Sequence, residues 1–239
     1  MQMGPPGREK TGAAAKRAGV LPRIRTLTFD CYGTLIDWRA GLTQSFVRMF
    51  GPAVRPRLGE LFDGYIAIEA EVEAEPYRPY REVLATVARR MAGRLGLDLP
   101  DGRESVLAES LPSWPAFSDT GDALRRLKTQ FRLGVLSNVD RDLFEATAGQ
   151  FPIEFDFVVT AEDVRSYKPR PAHFHRCLEE YGDVDSTLHV AQSLFHDGAA
   201  AGALGIAYVW INRYADRNDT AVRPAAEFGD LRSLAEALS

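Results

Sequence analysis

At 239 residues the chain is long enough for one large domain or for a domain carrying an insert. Hydrophobic residues make up 45% and charged residues 26%, the balance of a globular protein rather than a disordered one. A net charge of −4 argues against a nucleic-acid or anionic-membrane surface, and no run reaches the ~18 apolar residues of a membrane span. Two cysteines, Cys31 and Cys177, are too few for a disulfide framework or a zinc site, so a reduced, cytoplasmic setting is expected.

Residues 1–22 are small and basic, lack a core-forming pattern, and hold no apolar stretch long enough for a signal peptide; a flexible tail is expected there. Leu27 to Phe29 then reads as a buried strand that stops at Asp30, with Gly33 marking a turn. From Gly41 to Glu109 the pattern is helical. The predicted helices cover Gly41–Phe50, Leu58–Ala74, Tyr80–Leu97 and Glu104–Glu109, with an apolar stripe at Val83, Leu84, Val87, Met91 and Leu95. Beyond residue 113 short strands alternate with helices. Strands are expected at Arg132–Leu136, Phe155–Val159, Leu188–Ala191 and Ile206–Ile211. Helices are expected at Thr120–Thr129, Arg141–Ala148, Ala172–Tyr181, Gly198–Leu204 and Leu231–Leu238, with a polar loop from Asn212 before the last one. The alternation implies parallel βαβ units, hence an α/β, doubly wound, Rossmann-like core with an all-helical insert near its start.

A carboxylate at the carboxyl end of a buried strand sits where open α/β sheets place their ligands, and burial without partners would be costly. Asp30 is therefore the first candidate. Ser137-Asn138 ends the next strand, where a hydroxyl beside a carboxamide can bind oxyanions. Lys168 precedes Pro169, which holds it off the following helix. Asp197 follows the strand that ends at Ala191.

Together these stretches resemble the haloacid dehalogenase superfamily. D-C-Y-G-T-L-I-D from Asp30 to Asp37 is similar to its first motif, Ser137-Asn138 to its second, Y-K-P-R-P around Lys168 to its third, and Asp197 to the last acid of its fourth. The resemblance implies a core over 23–38 and 113–239, a mobile helical cap over 39–112, and Asp30 as a nucleophile that forms a covalent aspartyl intermediate. Lys168 would neutralise charge around it, and Asp197 would activate water. Family phosphatases carry a second Asp two residues after the nucleophile, as a general acid; here Tyr32 stands there, as in the family's 2-haloacid dehalogenases, whose halide leaves without a proton. Gln192 replaces the acid that binds Mg²⁺ in the phosphatases, and a neutral amide is a poor ligand for that cation.

The reading is thus hydrolytic dehalogenation of a small anionic 2-haloacid without a cofactor. Asp30, Lys168 and Asp197 would be catalytic, and Tyr32, Thr34, Arg39, Ser137, Asn138, Gln192 and Ser193 would bind substrate. Two alternatives stand beside it. One is a phosphate-ester hydrolase holding Mg²⁺ through Asp30, Tyr32 and Asp197, a backbone carbonyl among the donors; the other is a catalytically weak member with a binding role. The pattern also departs from the dehalogenases. Gln192 and Leu194 replace their Ser and Asn, Phe174 replaces a Tyr, and a gapless count puts Asp63 where their cap arginine falls. His196, beside Asp197, could assist ester hydrolysis, whereas His173, His175 and His189 are expected to be structural, as is Cys31. The resemblance makes a homodimer plausible.

Overall fold

The computed structural model describes residues 23–239, so the tail expected over 1–22 lies outside the described residues. The sheet is built around β1, Thr26–Phe29, whose four residues are all buried. Burial on both faces is what a central strand of a parallel sheet requires, and Thr26 and Thr28, which alternate with Leu27 and Phe29, are buried with them. The other strands are β2 (Arg132–Ser137), β3 (Phe157–Thr160), β4 (Thr187–Ala191), β5 (Ala207–Ile211) and β6 (Ala226–Phe228). All pair in parallel, in the order β3-β2-β1-β4-β5-β6. The chain winds outward from β1 through β2 to β3, then crosses back to set β4 on the other side of β1. That reversal opens a crevice at the carboxyl ends of β1 and β4, the place where such sheets bind ligands.

Between β1 and β2 the chain is helical, apart from isolated bridges at Tyr32, Ile36 and Ala116. Helix α1 (Trp38–Phe50) starts at Asp37, whose carboxylate caps the Ala40 amide at 3.0 Å. Helix α2 (Leu58–Ala74) buries Leu61, Tyr65, Ile68 and Val72, and α3 (Tyr80–Leu95) buries Val83, Leu84, Val87 and Met91. Gly96, in the left-handed region at φ 60°, ends α3 two residues before the expected boundary. The short α4 (Val106–Ser110) completes the insert. Helices α5 (Thr120–Lys128), α6 (Arg141–Ala148), α7 (Ala161–Val164), α8 (Ala172–Glu180), α9 (Ala199–Ala203) and α10 (Leu231–Ala237) belong to the sheet layers.

Three features depart from the sequence expectation. β6 lies within the stretch read as a polar loop; its three residues are too few to show a period. β3 begins at Phe157 because Phe155 packs against Phe144 and Phe151 instead of joining the ladder. A π-helical turn, Leu194–Gly198, precedes α9 and carries Asp197.

The start of α3 has no local side-chain cap, because its capping position is Pro79. The core supplies one. Asp140, 2% exposed at the end of β2, accepts the Tyr80 and Arg81 amides at 2.6 and 3.0 Å. A carboxylate at a helix N-terminus also complements the helix dipole. Asp140→Ala is expected to lower unfolding free energy by about 1–3 kcal/mol and to speed hydrogen exchange at Tyr80 and Arg81. Wild-type protection of those two amides in the variant would contradict this role.

Candidate active site

Asp30 leaves β1 with its amide bonded to the Val190 carbonyl of β4, which fixes the carboxylate at the mouth of the crevice. Oδ1 accepts from Lys168 Nζ at 3.0 Å and Oδ2 from Thr34 Oγ1 at 3.0 Å. Gly33 makes this return possible: its φ of 101° turns the chain so that Thr34 faces back onto Asp30. Thr34 Oγ1 also accepts the Gln192 amide at 2.9 Å, tying the first loop to the end of β4.

Lys168 is 1% exposed and its ammonium has three acceptors: Asp30 Oδ1, Asp197 Oδ1 at 2.6 Å and the Leu136 carbonyl at 2.8 Å. Burial alone would favour the neutral amine, but the charges of Asp197 and Asp30 outweigh it and hold Lys168 protonated. Its backbone is clasped by Asn138, whose Oδ1 accepts the Lys168 amide at 2.7 Å and whose Nδ2 donates to the Lys168 carbonyl at 3.1 Å.

Asp197, 1% exposed, is placed by the π-helical turn, which Ser193 caps by accepting the His196 amide at 2.9 Å. Asp197 Oδ1 takes Lys168 and also His189 Nε2 at 2.9 Å, while Oδ2 is buried with no hydrogen-bond partner among the described residues. Because a carboxylate only accepts, Nε2 of His189 carries a hydrogen, and Nδ1 lies 2.8 Å from Thr28 Oγ1 on the facing strand. Of the two acids, Asp197 is the stronger: burial opposes ionisation, but Lys168 and His189 together hold its carboxyl well below the usual range. Burial and the neighbouring Asp197 charge push Asp30 upward, against the pull of Lys168 and Thr34.

A cavity of about 420 Å³ lies over Asp30, within the size range of small-ligand sites. The sheet side contributes Tyr32, Ser137, Asn138, Lys168, Gln192 and Asp197; the helical insert covers it with Trp38, Tyr65, Glu69 and Glu73. Every candidate from the sequence reading therefore lines the cavity or, like Thr34, holds a group that does. Several hold protein groups. Tyr32 OH is hydrogen-bonded to Thr147 Oγ1 at 2.9 Å, and its ring stands edge-on to Trp114. Ser137 Oγ is buried without a partner among the described residues. Arg39, expected to bind substrate, lays its guanidinium 3.8 Å over the Tyr214 ring.

Sequence reasoning missed Glu69, Glu73 and His189. Tyr65 OH and Tyr80 OH both donate to Glu69 Oε1 at 2.6 Å, and burial plus the Glu73 charge push its carboxyl up to about 7. Glu73, 5% exposed, accepts Asn138 Nδ2 on both oxygens at 3.2 Å and lies 3.5 Å from His196 Nε2. A signal was present: two acids at i and i+4 interrupt the apolar stripe of Tyr65, Ile68 and Val72. His189 could be found only from register, since it sits opposite Thr28 on the neighbouring strand.

The donors suit Mg²⁺ poorly. Gln192 offers a neutral amide, Oδ1 of Asp197 is committed to Lys168 and His189, and among the described residues no group of three acid, His or Cys side chains could hold a metal ion.

A family model described as haloacid dehalogenase-like hydrolase matches residues 24–205. The chain belongs to that family. It is 26% identical over 199 residues to an (S)-2-haloacid dehalogenase of Pseudomonas putida, covering 81% of this chain and 86% of the relative. It is 24% identical over 201 residues to haloacetate dehalogenase H-2 of a Moraxella strain, covering 81% and 88%. Among solved structures, the L-2-haloacid dehalogenase RSc1362 superposes with a TM-score of 0.79 at 25% identity, covering 90% of this chain and 98% of that one. The family's α/β core with a helical insert between the first two strands is the fold described above, and no helix among the described residues is long and apolar enough to cross a membrane.

Glu69 gives the fold a pH signature. Its folded carboxyl keeps a proton up to about 7, whereas the unfolded chain releases it near the ordinary 4.5. Between those values the folded state binds more protons, so this contribution to stability is present below 4.5 and is lost as pH rises through 7. Denaturant titrations from pH 4 to 8 are expected to show a shallower decline for Glu69→Gln than for wild type; equal slopes would contradict the assignment.

Proposed function

We propose that this hydrolase cleaves the carbon–halogen bond of a small 2-haloacid through a covalent ester on Asp30. The observation that carries this reading is the setting of Asp30: an ionisable carboxylate facing a cavity, one oxygen on Lys168 and the other on Thr34, beside Tyr32 where a phosphatase would carry a second acid. The similarity to 2-haloacid dehalogenases over four-fifths of the chain supports it.

A carboxylate oxygen of Asp30 attacks the halogen-bearing carbon from the face opposite the halogen. The new C–O bond forms as the C–X bond breaks, and halide leaves with the bonding pair, needing no proton. Attack from behind inverts the carbon. Lys168 stays protonated throughout and offsets the negative charge gathered between the two acids. Water then adds to the carbonyl carbon of the Asp30 ester, giving up its proton to Asp197, whose Oδ2 is buried without a protein partner among the described residues. Collapse of the tetrahedral adduct breaks the bond between the Asp30 carbonyl carbon and the substrate oxygen, which takes back the proton held by Asp197, so that a 2-hydroxy acid leaves and Asp30 and Asp197 are restored. Lys168 and Thr34 hold different Asp30 oxygens, so the donor on the oxygen that is not esterified would hold the oxyanion of that adduct.

Asp30→Asn keeps the shape and removes the nucleophile. Halide release from 2-chloropropionate in EDTA is expected to fall by about 10⁴-fold or more. Undiminished halide release by the variant, or Mg²⁺-dependent phosphate release by the wild type in its place, would overturn the proposal.

A further inference from the structure

The covering helix α2 lowers two carboxylates, Glu69 and Glu73, into the same cavity as the nucleophile. Glu73 already occupies the donor that a ligand carboxylate would need. Of the two Asn138 Nδ2 hydrogens, one goes to the Lys168 carbonyl and the other is shared between the Glu73 oxygens. Glu69 lies one turn earlier, its Oε1 held by two tyrosine hydroxyls and its Oε2 without a hydrogen bond among the described residues.

Among the described residues, none of the lysine and arginine cations that line the cavity, Lys168, Arg39 and Arg217, makes an ion pair with Glu69 or Glu73. Lys168 serves Asp30 and Asp197, and Arg39 is stacked on Tyr214. His196 faces Glu73, leaving two carboxylates against one imidazole. Burial first, and the charge of Glu73 after it, keep a proton on Glu69 up to about 7. Ser137, whose Oγ is buried and unpartnered among the described residues, lines the same cavity.

We infer that Glu69 and Glu73 form a subsite for a cationic, ammonium-bearing part of the substrate, so that the preferred substrate is an amino-substituted acid rather than a plain one. The inference rests on the dehalogenase reading for the chemistry at Asp30, but both carboxylates of the subsite come from α2. An ammonium there would replace the Glu69 proton, donate to the free Glu69 oxygen, and leave the carboxyl end of the ligand to Ser137.

Binding tests this without turnover. Ligand-observed NMR titrations of the wild type with propionate and with 3-aminopropionate compare two probes that differ by the ammonium group. The amino acid is expected to bind about tenfold more tightly, a difference of about 1.4 kcal/mol. That preference is expected to shrink to about twofold or less in Glu69→Gln and Glu73→Gln, both near-isosteric changes. Equal or tighter binding of propionate, a preference unchanged in both variants, or no binding of either probe would overturn the subsite. The titration and the halide assay fail separately: a retained ammonium preference without halide release removes the dehalogenase reading, and halide release without the preference removes the subsite.

Discussion

One ammonium group organises the chemistry of this protein. Lys168 Nζ spends its three hydrogens on Asp30, Asp197 and the Leu136 carbonyl, and through them joins β1, β2 and the turn after β4. Two buried carboxylates at one site would repel and take up protons; a fully buried cation between them lets both ionise. The division of labour follows from their remaining partners. Asp197 has His189 as a second donor and is the more acidic, so it stays available as an acceptor. Asp30 has only a hydroxyl besides the lysine, and is left as the more reactive oxygen.

The same loops that hold this centre also hold the insert above it. Asn138 grips Lys168 with one face and Glu73 with the other, and Asp140 two residues on caps α3. Tyr167 donates to the Arg78 carbonyl, and Arg170 to the terminal carbonyls of α2 at Glu73 and Ala74. The insert and Lys168 are thus fastened by the same two short segments, 138–140 and 167–170.

The sheet and its helical insert were legible because a buried parallel strand, an apolar run, carries its own signature, and because the helices between β1 and β2 keep a clear 3.6-residue stripe. Asp30, Lys168 and Asp197 stood out at strand ends and turns. What escaped was whatever depends on which segments meet. Asp140 is separated from the helix it caps by 60 residues. His189 looks like any strand residue until Thr28 is found opposite. Glu69 and Glu73 read only as part of the helix expected over Leu58–Ala74, although their place within an apolar stripe was a clue. Asn138, expected to meet a ligand, is instead occupied by Glu73, a contact between two elements that no spacing rule could supply. β6 was lost for a simpler reason, being three residues long.

The central claim is that Asp30 itself becomes bonded to the substrate. A single turnover in H₂¹⁸O, with enzyme in excess over 2-chloropropionate, tests it most directly. The covalent route predicts that the new hydroxyl oxygen comes from Asp30, so the product carries ¹⁶O and the enzyme gains one ¹⁸O at that residue. A product labelled with ¹⁸O in the first turnover, with Asp30 unlabelled, would show that water attacks the substrate directly and would contradict the account.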